Sequence, residues 1–184
     1  MSHQPNEIAI INTVQGWVET FVVGLNVCPF AKREVVKNRV RYCVSQADTR
    51  ELLTADLERE LDHLKENDAV ETSLLIHPGV LQDFYDYNDY LHTADTLVRD
   101  MGLDGVFQVA SFHPNYQFAG TEPADAENYT NRSPYPILHL LREKSLTVAI
   151  DAYPDAGDIP NNNIKLMNGL GGEYLQNILK QCFK

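Results

Sequence analysis

Val106-Phe107-Gln108-Val109-Ala110-Ser111-Phe112-His113-Pro114-Asn115-Tyr116-Gln117-Phe118-Ala119-Gly120 is the stretch on which the reading of this chain turns. An apolar run that ends in His-Pro and passes into polar, glycine-bearing sequence predicts a buried strand delivering a histidine to the mouth of a site. Upstream, Thr72-Ser73-Leu74-Leu75-Ile76-His77-Pro78-Gly79 has the same form. Arg39-Val40-Arg41-Tyr42-Cys43-Val44-Ser45 alternates and is rich in β-branched and aromatic residues, which predicts a further strand.

Helical patterns separate these strands. Asp48-Thr49-Arg50-Glu51 is a capping box opening a helix with Leu52, Leu53, Leu57, Leu61 and Leu64 on its apolar side. Another helix is expected from about Leu81 to Met101, with Gly102 as its stop. Strand, helix, strand, helix, strand predicts an α/β fold: a single domain with a short, mostly parallel sheet of three to four strands packed with helices. In such a sheet His77 and His113 both lie at strand C-terminal ends, the edge where open α/β sheets hold ligands, and are expected to be neighbours.

The flanks are also legible. Ile11, Val14, Val18, Phe21, Val22 and Leu25 form a helical stripe between Glu7 and Asn26, with Trp17 beside it. Pro114 to Arg132 has neither helical nor strand period, and its aromatic residues Tyr116, Phe118 and Tyr129 favour an ordered loop. Ser133 and Pro134 read as the N-cap and first residue of a helix through about Arg142. Ser145 to Ala152 reads as an edge strand or a short helix, the helix favoured. Asn163 to Cys182 reads as a last helix interrupted at Gly169-Leu170-Gly171-Gly172.

Bulk properties narrow the class. A chain of 184 residues suits one domain that buries about 70% of its unfolded surface. The net charge of −11 disfavours nucleic acid and anionic membranes, which are bound through clustered Lys and Arg. No apolar run approaches a membrane span, and Met1 to Glu7 supplies no secretion signal, so a cytoplasmic location is expected. Three widely spaced cysteines, Cys28, Cys43 and Cys182, suggest free thiols rather than disulfides or a zinc site.

The candidate chemistry follows from residue types. His113 suits a general acid or base, the alternative being a histidine that ties its turn to a carbonyl. Cys28, ahead of Pro29 and near Lys32 and Arg33, is the candidate nucleophile or redox thiol, the alternative being a small buried packing residue. Arg132 and the helix start at Ser133 suit a phosphate or carboxylate, with Arg33, His77, Asn131, Tyr116 and Arg142 as further substrate-binding candidates. Metal ligation by His77 and His113, with His139 or a carboxylate, is a third reading, although no His-x-x-x-His or Glu-x-x-His pairing supports it. The expectation is a small enzyme acting on a small anionic molecule, with no cofactor. A non-catalytic anion-binding or metabolite-binding domain is the competing reading, and the sequence leaves the oligomeric state open.

Leu25-Asn26-Val27-Cys28-Pro29-Phe30-Ala31, Leu74 to Pro78, Ala110 to Thr121 and Asn131 to Glu143 together resemble the bacterial family catalogued as domain of unknown function 1415. The resemblance covers nearly the whole chain. It implies a single compact domain and assigns no residue a role. Leu146-Thr147-Val148 departs from the more polar, helical stretch that the resemblance implies there.

Overall fold

The computed structural model describes residues 6–183, so the reading of Met1–Pro5 as lacking a secretion signal lies outside the described residues. Strands β1 (Val40–Val44), β2 (Thr72–Ile76), β3 (Phe107–Phe112) and β4 (Ile137–Arg142) form one four-stranded sheet in the order β1-β2-β4-β3. β1 and β2 are parallel, whereas β4 runs antiparallel to both β2 and β3. The fold is α/β, as expected, but the sheet is mixed rather than mostly parallel.

The difference comes from Ile137 to Arg142, read from sequence as a helix. Pro136 disfavours a helical conformation for Tyr135 before it, and the Ser133 hydroxyl donates to the Tyr135 carbonyl instead of accepting from the N–H of a first helical turn. The segment that follows is almost wholly apolar, with Ile137, Leu138 and Leu140 fully buried. A continuous apolar run bonded on both sides is the signature of a central strand, and β4 takes its partners from β2 on one side and β3 on the other.

Two layers of helix cover the sheet. α3 (Arg50–Glu66), capped by the Thr49 side chain, and α4 (Phe84–Asp100), capped by Asp83, pack on one face. Leu53, Leu57, Leu61 and Leu64 of α3 meet Tyr87, Tyr90, Ala94 and Val98 of α4 above Leu75, Leu138 and Leu140. α1 (Glu7–Trp17) covers the other face and runs on as one π-helical segment, Val18–Val23. Ile10, Val14, Trp17 and Phe21 recur at helical spacing on one buried face, so the indole is core rather than flank.

α2 (Ala31–Val36) leads into β1, and α5 (Glu143–Asp151) follows β4 directly, which resolves the 145–152 segment as helix. α6 (Ile159–Leu170) and α7 (Gly172–Gln181) bury Met167 and Leu175 in the same core cluster as α1 and break at Gly171, whose φ of 81° suits glycine.

Candidate functional site

β2 and β3 are each separated from the other only by β4, so their C-terminal residues sit about two strand spacings apart, roughly 10 Å. The backbone ties both to the segment entering β4: the His77 N–H donates to the Pro136 carbonyl at 3.0 Å and the His113 N–H to the Asn131 carbonyl at 3.1 Å. Side chains alternate along a strand, so His77 shares the α4 face with Leu75. There it meets Tyr87. The rings of His77 and Tyr87 stack, with centroids 5.8 Å apart and planes inclined by 16°. His113 approaches the same phenol at 5.0 Å. The expected neighbourhood of the two histidines is present, with Tyr87 as the group between them.

Tyr87 is fully buried, and its hydroxyl donates to the Ile137 carbonyl at 2.7 Å while accepting from the Phe112 N–H at 3.0 Å. It stitches β3 to β4 where the strands end. The candidate residues drawn from the sequence do not include it. Its signal was its place, one turn after the Asp83 cap of the helix that follows His77.

Partner atoms fix the tautomers. His77 Nδ1 faces the Val80 carbonyl at 3.1 Å, and a carbonyl only accepts, so Nδ1 carries the proton. Nε2 is then a bare acceptor, and it is buried with no hydrogen-bond partner. His113 is arranged the other way round: Nε2 donates to the Leu81 carbonyl at 3.1 Å, and Nδ1 accepts from the Asn115 N–H at 3.0 Å. Both rings are 0% exposed and therefore neutral. Burial pulls His77 down to about 4, the neighbouring His113 adding to the effect, and burial likewise lowers His113.

The turn over the two rings is strained. Leu81 holds φ 57°, a left-handed conformation that costs a branched residue roughly 1–2 kcal/mol, and it is buried there. Gly79 is needed for a separate reason, since a Cβ on it would lie 2.8 Å from the Ala47 carbonyl oxygen.

The other candidates are placed as follows. The helix start expected at Ser133 does not exist, because β4 occupies that segment. Arg132 donates from Nε to the Tyr116 carbonyl at 3.1 Å and from Nη2 to the Pro123 carbonyl at 2.7 Å, with its guanidinium 4.6 Å from the Tyr129 ring centroid. It clamps the loop of residues 114–132. Asn128 works inside that loop, accepting from the Phe118 N–H and the Thr121 hydroxyl and donating to the Glu122 carbonyl. Asn131 donates to the Ser111 carbonyl, and Tyr116 packs between Phe84 and Phe118.

Arg142 reaches away from the histidines to the end of α3, where it donates to the carbonyls of Leu64, Asn67 and Val70. Arg33 is exposed and lies 3.5 Å from Glu34. Cys28 sits in the turn before α2. Burial raises its thiol, and the N–H groups of Phe30 and Ala31 only partly oppose that. Its turn is tied to α6 by the bond from Asn163 to the Val27 carbonyl, and no hydrogen bond joins it to the histidine cluster among the described residues.

His139 belongs to the opposite face of the sheet. It pairs in register with Leu74, packs on Phe112 and bonds the Thr72 hydroxyl through Nε2 at 2.7 Å. The sheet therefore separates it from His77 and His113. Among the described residues no group of three or more His, Cys, Asp or Glu side chains is arranged to hold a metal ion.

A second polar cluster was not anticipated. Glu60 of α3 is 4% exposed and accepts from Arg41 Nε at 2.7 Å and from the buried Ser73 hydroxyl. Cys43 lies beside it, its thiol pushed up to about 11 by burial and by the Glu60 charge.

These features define a class: a one-sheet α/β domain with a closed His-Tyr-His cluster at the C-terminal edge of its strands. The chain belongs to the family described as protein of unknown function (DUF1415), whose model matches residues 9–177. No curated protein and no solved structure matches the chain. No helix among the described residues is long and apolar enough to cross a membrane.

Proposed function

We propose that this chain is a small enzyme that uses a buried neutral histidine for proton transfer to or from a small-molecule substrate, with Nε2 of His77 as the exchanging atom. One observation carries the reading. A buried acceptor without a partner costs about 1–3 kcal/mol, and His77 Nε2 is such an atom at the sheet edge where ligands bind in α/β folds. His113, with both nitrogens engaged, is the positioning partner: it holds the Leu81 carbonyl in the turn that covers His77. A substrate donor reaching Nε2 would supply the missing bond and present its proton to that nitrogen.

An anionic substrate was expected from Arg132 and Ser133. Both are engaged with backbone carbonyls in the closed form, so the proposal commits to a small molecule with a hydrogen-bond donor and leaves its charge open. The 0% exposure of both rings favours a second reading, a non-catalytic domain in which the histidines only pin the turn.

Acylation by diethylpyrocarbonate, followed by mass spectrometry across a urea series, separates the two. The enzyme reading expects modification of His77 through a local opening that is insensitive to low urea. Modification of His77 solely through global unfolding, with the urea dependence of the whole domain, would sink it.

A further inference from the structure

His113 is attached to two different loops by bonds of opposite sense. Its Nε2–H donates to Leu81 in the turn between β2 and α4, and its Nδ1 accepts from Asn115 at the start of the loop of residues 114–132. The Leu81 carbonyl can only accept and the Asn115 N–H can only donate, so the ring is complete as the neutral Nε2–H tautomer. A proton added at Nδ1 leaves the first bond intact and sets two N–H groups against each other in the second. We propose that His113 is an acid-released latch: protonation at Nδ1 frees the Asn115 N–H at the start of the 114–132 loop, while the turn carrying Leu81 stays pinned and Tyr116 stays bonded to the His113 carbonyl.

The surroundings set the direction. His77, just beyond β2, faces the ring, as do Phe84 and Tyr87 from α4, with Tyr116 from the loop packed at a tilt on Phe84. Burial opposes the proton. Asp83, at the cap of α4, favours it, as do the carbonyls of Leu81 and Gln82. Burial wins, so the ring stays neutral and the latch closed at neutral pH, and release falls below the ordinary histidine range. Leu81 is the less yielding of the two ends because its carbonyl keeps a donor in either protonation state.

This inference goes beyond the enzyme reading and does not need His77 to act as a base. It concerns what holds the roof of the cluster, and its effector is the proton itself.

The test is amide hydrogen exchange by NMR on the full chain between pH 7.5 and 5, with each rate divided by the intrinsic rate at that pH. The protection of the Asn115 amide is expected to fall about tenfold per pH unit below the ordinary histidine value, while the amides of β4, such as Leu138, keep theirs. His113→Asn supplies a non-titrating acceptor close to the place of Nδ1 and is expected to keep Asn115 protected at every pH. Should that variant not fold, Asp83→Asn retains a helix cap and is expected to move the release to lower pH. Flat Asn115 protection while the His113 ring titrates would overturn the proposal, as would loss of Asn115 and Leu138 protection together at one pH.

Discussion

The phenol of Tyr87 lies nearly parallel to the imidazole of His77, while its hydroxyl occupies the gap between Ile137 of β4 and Phe112 of β3. One side chain from α4 thus closes the end of the β3–β4 ladder and forms a wall of the histidine cluster. Tyr87→Phe keeps the ring and removes both bonds, leaving a buried carbonyl and a buried N–H unpaired. The expected loss is about 1–3 kcal/mol for stranded buried groups. Urea melts should show a lower midpoint with an unchanged slope. A loss under about 0.5 kcal/mol, the range of ordinary surface substitutions, would show that the hydroxyl does not hold the strand ends.

The buried histidines make stability depend on pH in a stated direction. His77 sits at about 4 in the folded chain against an unfolded value near 6.5. Between these values the unfolded chain binds the extra proton, so stability falls as the pH drops from about 6.5 towards 4 and levels off below. The contribution of His77 at neutral pH is on the order of 3 kcal/mol, from about 1.4 kcal/mol per unit. His77→Asn keeps a donor close to the place of Nδ1 and cannot titrate. Urea melts at pH 7.5, 6 and 5 should therefore show a shallower pH dependence in the variant. Equal slopes in the two proteins would mean that His77 is not desolvated in the folded state.

Arg142 was expected in an anion site and instead closes the C-terminal end of α3, donating to the carbonyls of Leu64, Asn67 and Val70. Its guanidinium also lies 5.3 Å from the Phe107 ring centroid, joining that helix end to β3. Arg142→Met should cost about 1.5–3 kcal/mol, the range for hydrogen bonds to charged groups. Arg142→Lys should recover only part of this, because a single ammonium cannot reproduce the planar fork. Full recovery by lysine would show that the charge alone matters there.

What was legible in the sequence follows from where the controlling interaction lies. β1, β2 and β3 and the helices between them are written in local periodicity and caps, and each formed close to its expected bounds: Thr49 caps α3, and Gly171 breaks the last helical pattern. The pairing of His77 with His113 was legible because both end strands of the same direction. β4 was not. Its run from Ile137 to Arg142 carries a serine-proline start that imitates a helix, and only a central place between β2 and β3 makes its doubly apolar character decisive. That error carried Arg132, Ser133 and Arg142 into one imagined anion site. The bare nitrogen of His77 was equally invisible, since a tautomer is set by carbonyls of the following turn that no periodicity announces.

Cys28 gives the last test. The N–H groups of Phe30 and Ala31 favour its thiolate, yet the thiol is partly buried and that burial raises its ionisation. Desolvation of a small anion outweighs two backbone donors when no cation adjoins it, and Lys32 and Arg33 are not among the groups acting on it. The thiolate is the attacking form, so iodoacetamide should modify Cys28 in the native chain more slowly at pH 7 than it modifies free cysteine. The rate should still be climbing above pH 9. Urea sufficient to unfold the domain should abolish the difference. A native rate at pH 7 above that of free cysteine would restore Cys28 as a nucleophile and show that the turn is more open to solvent, or nearer a positive charge, than its burial beside Phe30 implies.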